Sequence, residues 1–353
     1  MNRPFYFFSA IFALSVITSC NQSDSAKGTF DYSSFPIITG EEILTDADIL
    51  NPQDILAVKN GVLIHDYNDT CFLAYYSNLD VKTPQYIARK GQGPFEFINT
   101  RNRYYNPLTE CLFLNDTQRK KAQTFKISSD KILLDSSSII STVDFLPIRG
   151  GEVTPLGSKF VTEGVFGNKL LALVDSDGTL LQTFGEYPGD TTNIQDRHSF
   201  GLINQFRIIA NPQGTRLVAA GAYSDWLAFY DMTGDNLKVI NERFTFSPKA
   251  KTEKPNQYVT VLKSDDNDIC NYKRLSATPN HVYLLYDGRT QAEIDEGVKK
   301  PKTILKLNWD GELVAGYRVN DRLFSISASE DDSALYGLIT RNGEDAVVKY
   351  ILE

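Results

Sequence analysis

Methionine, tryptophan and histidine are scarce in this 353-residue chain, at 2, 2 and 3 copies, and its four cysteines include no CxxC pair. The histidines, His65, His198 and His281, lie far apart, and no HExxH, GxSxG elbow, P-loop or complete EF-hand loop occurs. That excludes enzymes recognised by a contiguous catalytic motif. Positive charge is also short: 36 Lys and Arg against 44 Asp and Glu give a net charge of −8. Such a chain is not built to coat nucleic acid. Present instead are 18 Tyr and 21 Phe within 42% apolar residues, a bias toward strands.

The N-terminus obeys different rules. Arg3 and the free amine precede "FYFFSAIFALSVI", thirteen uncharged residues from Phe5 to Ile17, too few for a permanent membrane span and suited to an export signal. It runs into "ITSC", Ile17 to Cys20, which resembles the lipobox of bacterial lipoproteins. The resemblance implies cleavage after residue 19 and acylation of Cys20, with residues 20–29 as a flexible tether to the membrane. No Asp follows Cys20, so the resemblance implies the outer membrane. Losing residues 1–19 removes only Arg3, which takes the net charge from −8 to −9. Cys71, Cys111 and Cys270 then remain, an odd number that leaves at least one thiol free and forms no disulfide framework.

Residues 30–353 contain a repeat written in turns. Turns centred on Asn60, Pro107, Gly157, Pro212, Pro279 and Asp331 each precede a short apolar strand, at separations of 47, 50, 55, 67 and 52 residues. Later hairpin signals follow, as in "LALVDSDGTLLQTFG" and "ILKLNWDGELVAGY". Four strands in about fifty residues is one propeller blade, so the spacing predicts an all-β, six-bladed β-propeller of four-stranded antiparallel blades. The last unit is one strand short, and "FDYSSFPIIT", Phe30 to Thr39, is the expected source of an N-terminal strand that closes it.

The stretch "KGQGPFEF", Lys90 to Phe97, stands between the first two units. A dinucleotide loop needs a third glycine and a following helix; Glu96 occupies the place of the anion, and no helical period follows. The stretch reads as a corner from blade 1 to blade 2, with Gly91 and Gly93 at positive φ. Together the six units, the Cys20 motif and this corner resemble the TolB-like six-bladed propeller lipoproteins of Bacteroidetes over residues 30–353.

Because strands alternate direction within a blade, the long segments 186–201, 247–268 and 287–302 are all expected on one face. Long loops on a rigid scaffold commonly carry binding. The residues expected near that face are His65, Asp66, Tyr67, Arg89, Asp116, Arg119, Glu163, Arg197, His198, Tyr223, Trp226, Tyr286, Asp287 and Arg289. Exposed aromatics among Asp and Arg suit a glycan, peptide or protein ligand. The expected function is a lipid-anchored binding or scaffold module without a cofactor and without catalysis. The alternative is a calcium-dependent lyase or hydrolase in which Asp66, Asp116, Glu163 and Asp287 hold the ion, as in similar-looking propeller enzymes. The same acids are equally able to pair with Arg89, Arg119, Arg197 and Arg289.

Overall fold

The computed structural model describes residues 32–45, 47–66, 68–77, 79, 82–127, 131–144, 150–187, 189, 197–256 and 259–352. The export signal, Cys20, the tether and Tyr67 lie outside the described residues, as do the side chains of Arg197 and His198.

After a short strand β1 (Glu41–Leu44), six antiparallel units follow. Blade 1 is β2 to β5 (Pro52–Val58, Gly61–Asp66, Cys71–Tyr76, Gln85–Arg89) and blade 2 is β6 to β9 (Thr100–Asn106, Cys111–Asp116, Lys121–Lys126, Ile139–Asp144). Blade 3 is β10 to β13 (Gly150–Leu156, Lys159–Phe166, Lys169–Val174, Leu180–Glu186), and a short helix α1 (Arg197–Ile203) leads into blade 4, β14 to β17 (Phe206–Ala210, Arg216–Gly221, Leu227–Thr233, Asn236–Arg243). A separate hairpin, β18 (Lys251–Asn256) and β19 (Val259–Lys263), precedes blade 5, β20 to β23 (Tyr272–Ala277, His281–Tyr286, Lys302–Asn308, Leu313–Val319), which holds helix α2 (Gln291–Asp295) between its second and third strands. Blade 6 is β24 to β26 (Arg322–Ala328, Ala334–Arg341, Glu344–Ile351) completed by β1 in the order β1-β26-β25-β24.

The first strand of each blade is innermost, and β2, β6, β10, β14, β20 and β24 abut in sequence around a central channel until β24 meets β2. Apolar clusters lie between successive blades. Leu63, Leu73, Phe97 and Leu112 join blades 1 and 2, Leu171, Phe184, Leu217 and Tyr230 join blades 3 and 4, and Leu285, Ile304, Leu323 and Val348 join blades 5 and 6. Each sheet covers its neighbour's face, so the stack buries what one blade alone would expose.

The ring is closed by an N-terminal strand, but from a later segment than expected. Glu41, Glu42 and Leu44 pair with Lys349, Val348 and Val347. Among its described residues the expected closing segment contributes no strand: Tyr32–Ser34 form a 3-10 turn, and Ile37 makes a parallel bridge to Arg318 on the outer strand of blade 5. Phe35 takes the space a side chain at Gly316 would need.

The corner is confirmed. Phe97 N donates to Arg89 O (2.9 Å) and Gly91 N donates to Phe97 O (3.1 Å), so "KGQGPFEF" folds back on itself between β5 and β6. Gly91 has φ 155°, and a Cβ there would stand 2.0 Å from Glu96 Oε2, so the Glu96 carboxylate would have to move. Gly93 lacks the expected positive φ and instead donates its N–H to Glu96 Oε2 (2.9 Å). Glu96 thus caps its own turn.

Candidate functional site

The three long segments do lie together. Helix α1 packs on β18 and β19, with Thr252 Oγ1 donating to Ser199 Oγ at 2.8 Å. The segment after the hairpin is stitched to the α2 loop: Gln291 N donates to Asp268 O (2.9 Å), Ala292 N to Asp266 O (3.0 Å), and Cys270 N to Arg289 O (2.8 Å). Thr290 and Glu293 cap α2 reciprocally, satisfying N–H groups that a short helix leaves open. Val259 and Val261 are exposed on the hairpin beside the Lys263–Glu253 ion pair.

The strand-end acids are structural ties in this arrangement. Asp66 is fully buried and accepts from the N–H groups of Leu50 (3.1 Å) and Asn51 (2.6 Å), fastening the approach to β2. Asp116 does the equivalent job one blade on, accepting from Ile98 N (2.8 Å), Gln118 N (3.2 Å) and Arg119 N (3.0 Å). Arg119 donates to the carbonyls of Gly93 and Glu96, which locks the corner to the turn after β7. Asp287 is gripped by Arg289 at 2.7 and 3.0 Å and lies 2.5 Å from Lys302 Nζ; burial works against its charge, but these two cations hold its carboxyl below the usual range. Of the arginines named as partners for these acids, Arg289 pairs with Asp287, Arg119 is engaged with backbone carbonyls, and Arg89 stands exposed, 3.7 Å from Glu96. The acids do not converge: among the described residues no three His, Cys, Asp or Glu side chains are grouped to hold a metal ion.

Trp226, Tyr286 and His65 are covered rather than open to a ligand. Trp226 is 1% exposed, packed edge-on to Tyr187 and Phe206, with Nε1 donating to Glu242 Oε1 at 2.9 Å. It is core between the blade 3 crossover and blade 4. Tyr286 is covered by Tyr32, the rings stacking at 4.3 Å, and Tyr223 is half-buried. His65 is buried and stays neutral: burial first, then the positive charge of Arg103, brings it down to about 3. His281 sits on the opposite face, bound through Nδ1 to Asp332 at 2.8 Å.

A charged ring in the channel escaped the sequence reading. Asp54 on β2 is reached by Arg103 Nη2 of β6 (2.8 Å), by Arg274 Nε of β20 (3.3 Å) and by the Ser325 hydroxyl of β24, so four blades meet at one carboxylate. Burial opposes its charge, but Arg274, Arg103 and Ser325 hold it well below the carboxylate range. On the other wall Glu163 lies within electrostatic reach of Glu152 and Arg207; burial and the Glu152 charge push its carboxyl well up, against Arg207. The signal was available: five of the six inner strands carry a charged residue two to four places in, namely Asp54, Arg103, Glu152, Arg207 and Arg274.

Comparison with known proteins places this geometry in a family. Residues 37–331 match the TolB-like 6-blade propeller-like family. The chain belongs to that family. Among solved structures, a DUF4221 family member from Bacteroides vulgatus is 12% identical with a TM-score of 0.51, over 90% of this chain and 95% of that one. A candidate exported protein from Bacteroides fragilis is 13% identical with a TM-score of 0.49, over 90% and 94%. At such identities the likeness concerns fold alone. No curated protein matches the sequence. No helix among the described residues of this TolB-like propeller is long and apolar enough to cross a membrane.

Proposed function

We propose that this TolB-like propeller is an exported, lipid-anchored binding module of the Bacteroidetes cell envelope that docks a protein partner on its long-loop face. The reading rests on one observation: three separate segments are linked in series, α1 to the β18–β19 hairpin and the stretch 266–270 that follows the hairpin to the α2 loop. Independent surface insertions have no reason to knit together. The hairpin is a two-stranded sheet with exposed Val259 and Val261 that pairs with no third strand among the described residues, and a strand edge beside apolar side chains suits addition of a partner strand better than it suits a sugar ring. Export and anchoring draw support from the thirteen-residue apolar stretch and Cys20.

A photo-crosslinking amino acid at Val261 in the native host tests the docking face. A discrete adduct is expected from Val261 and none from Leu180, an exposed position on the outer strand of blade 3. Matching adduct patterns from both sites, or none from either, defeat the proposal. Palmitate labelling that survives Cys20→Ser defeats the anchor.

A further inference from the structure

The channel holds a cavity of about 980 Å³ that opens on the face opposite the long loops, among the first turns of the blades at Lys59, Asn60, Pro107, Pro279 and Glu330. Its mouth is displaced toward blades 1, 5 and 6 because the turns of blades 2 to 5 lean together. Asn106 Nδ2 donates to Pro212 O (2.8 Å), Gln213 Nε2 donates to Pro279 O (3.1 Å), and Gly214 lies so near Gly157 that a Cβ would stand 2.1 Å from its backbone nitrogen. The floor is the junction of Asp54, Arg103 and Arg274. The walls include Leu56, Ile209, Leu275 and Ile326.

The charge count at that floor is uneven. Two guanidiniums share one carboxylate, leaving one net positive charge with Arg103 nearly buried, its side chain 7% exposed. Arg103 otherwise donates to Thr100 O (2.6 Å), and Arg274 to Lys273 O (3.0 Å) and Gln53 O (3.5 Å). A guanidinium has five N–H donors, so neither arginine has committed all of its own among the described residues. Ligand cavities of roughly 300–1,000 Å³ bury most of a small molecule and fix it with a few polar groups. This cavity is large enough, carries apolar side chains on part of a mixed wall that also bears Ser276, Ser327, Lys59 and Glu330, and is positive at its floor.

We propose that the channel cavity is a binding site for a small monocarboxylate with an apolar or aromatic body, its carboxylate seated on Arg103 and Arg274. The charge count selects the class: one negative charge neutralises the floor, whereas a dianionic phosphate would face Asp54 with excess charge. The site is independent of the long-loop face, so failure of either leaves the other standing.

Titration calorimetry of the intact mature chain with 4-phenylbutyrate, and with its uncharged amide, tests the assignment. One saturable site is expected for the acid, with the amide at least tenfold weaker. Arg274→Gln, which leaves Asp54 paired with Arg103 and Ser325, is expected to weaken the acid by about tenfold and leave the amide unchanged. Ala57→Trp, which fills the cavity without touching a charge, is expected to abolish both, with circular dichroism and Tm confirming that each variant is folded. No saturable binding, equal affinity for acid and amide, or binding indifferent to Ala57→Trp in a folded protein overturns the proposal.

Discussion

His65 makes the charged channel measurable through stability. It is 7% exposed on β3 opposite Asp54, and burial and then Arg103 bring it down from 6.5 to about 3, with Lys90 and Arg274 adding to the effect and Asp54 opposing it. Above pH 6.5 neither folded nor unfolded chain protonates this imidazole. Below it the unfolded chain takes up the proton while the folded chain refuses it until about pH 3, so stability falls as pH drops through that window and levels off beneath it. At 1.36 kcal/mol per pH unit, the loss from this one residue between pH 7.5 and pH 5 is about 2 kcal/mol. Urea unfolding of the wild type and of His65→Asn across that range isolates the effect: the variant should lose about 2 kcal/mol less on acidification. Equal slopes refute the reasoning, as does an NMR titration placing the folded-state His65 midpoint near 6.5.

Asp54→Asn should cost about 3 kcal/mol in urea unfolding at pH 7, because Arg103 and Arg274 lose the carboxylate that separates them; a loss below 1 kcal/mol would mean that water already screens the junction. Gly91→Ala should cost about 1–3 kcal/mol through its φ and the collision with Glu96, and clearly less in a Glu96→Ala background. Equal costs in both backgrounds would exclude Glu96 as the obstacle. Glu163→Gln should stabilise the protein at pH 8, since a carboxyl raised by burial opposes folding once pH exceeds its unfolded value, and that advantage should vanish at pH 4. A stabilisation independent of pH would show that Glu163 is not the group responding.

Blade number was legible because turns depend on local residue chemistry. Asn60 at φ 64° and Gly157 at φ 61° occupy backbone conformations that few residues tolerate, so their types announce the turns whatever packs around them. The closing strand was harder to place. "EEIL" puts two exposed glutamates on an outer edge, which suppresses the apolar pattern, while the more apolar "FPII" turned out to cover blade 5 instead. The hairpin was masked in the same way: "KTEKPN" carries three charges and a proline, and only "VTVLK" alternates. Trp226 misled because it follows Ser224 and Asp225 and reads as a loop residue, whereas the crossover folds Tyr187 over it. That burial comes from chain segments 39 residues apart, a distance across which periodicity carries nothing. The capping pair Thr290 and Glu293 is a local signal for α2 that the reading of 287–302 as a loop passed over.

Local register then explains why charge collects in the channel. β2, β6, β10, β20 and β24 each shift register against the next strand near their entry to the sheet, between Pro52 and Asp54, Thr100 and Asn102, Gly150 and Val153, Tyr272 and Arg274, and Leu323 and Ser325. A bulge bends a strand and re-aims the side chain that follows it. Asp54, Arg274 and Ser325 directly follow such shifts, and with Arg103, one place beyond the shift in β6, they form the junction at the channel floor. On β14, which runs in unbroken register, Arg207 stays with the opposite wall. Six inner strands held apart by a channel cannot fill it with apolar side chains from one sheet alone, so groups long enough to reach between blades must bridge it. Arginine does this best because its planar fork binds a carboxylate while its stem lies along apolar wall. The bulges therefore supply direction and the arginines supply reach, which ties the position of the charged floor to the repeat itself rather than to any one loop.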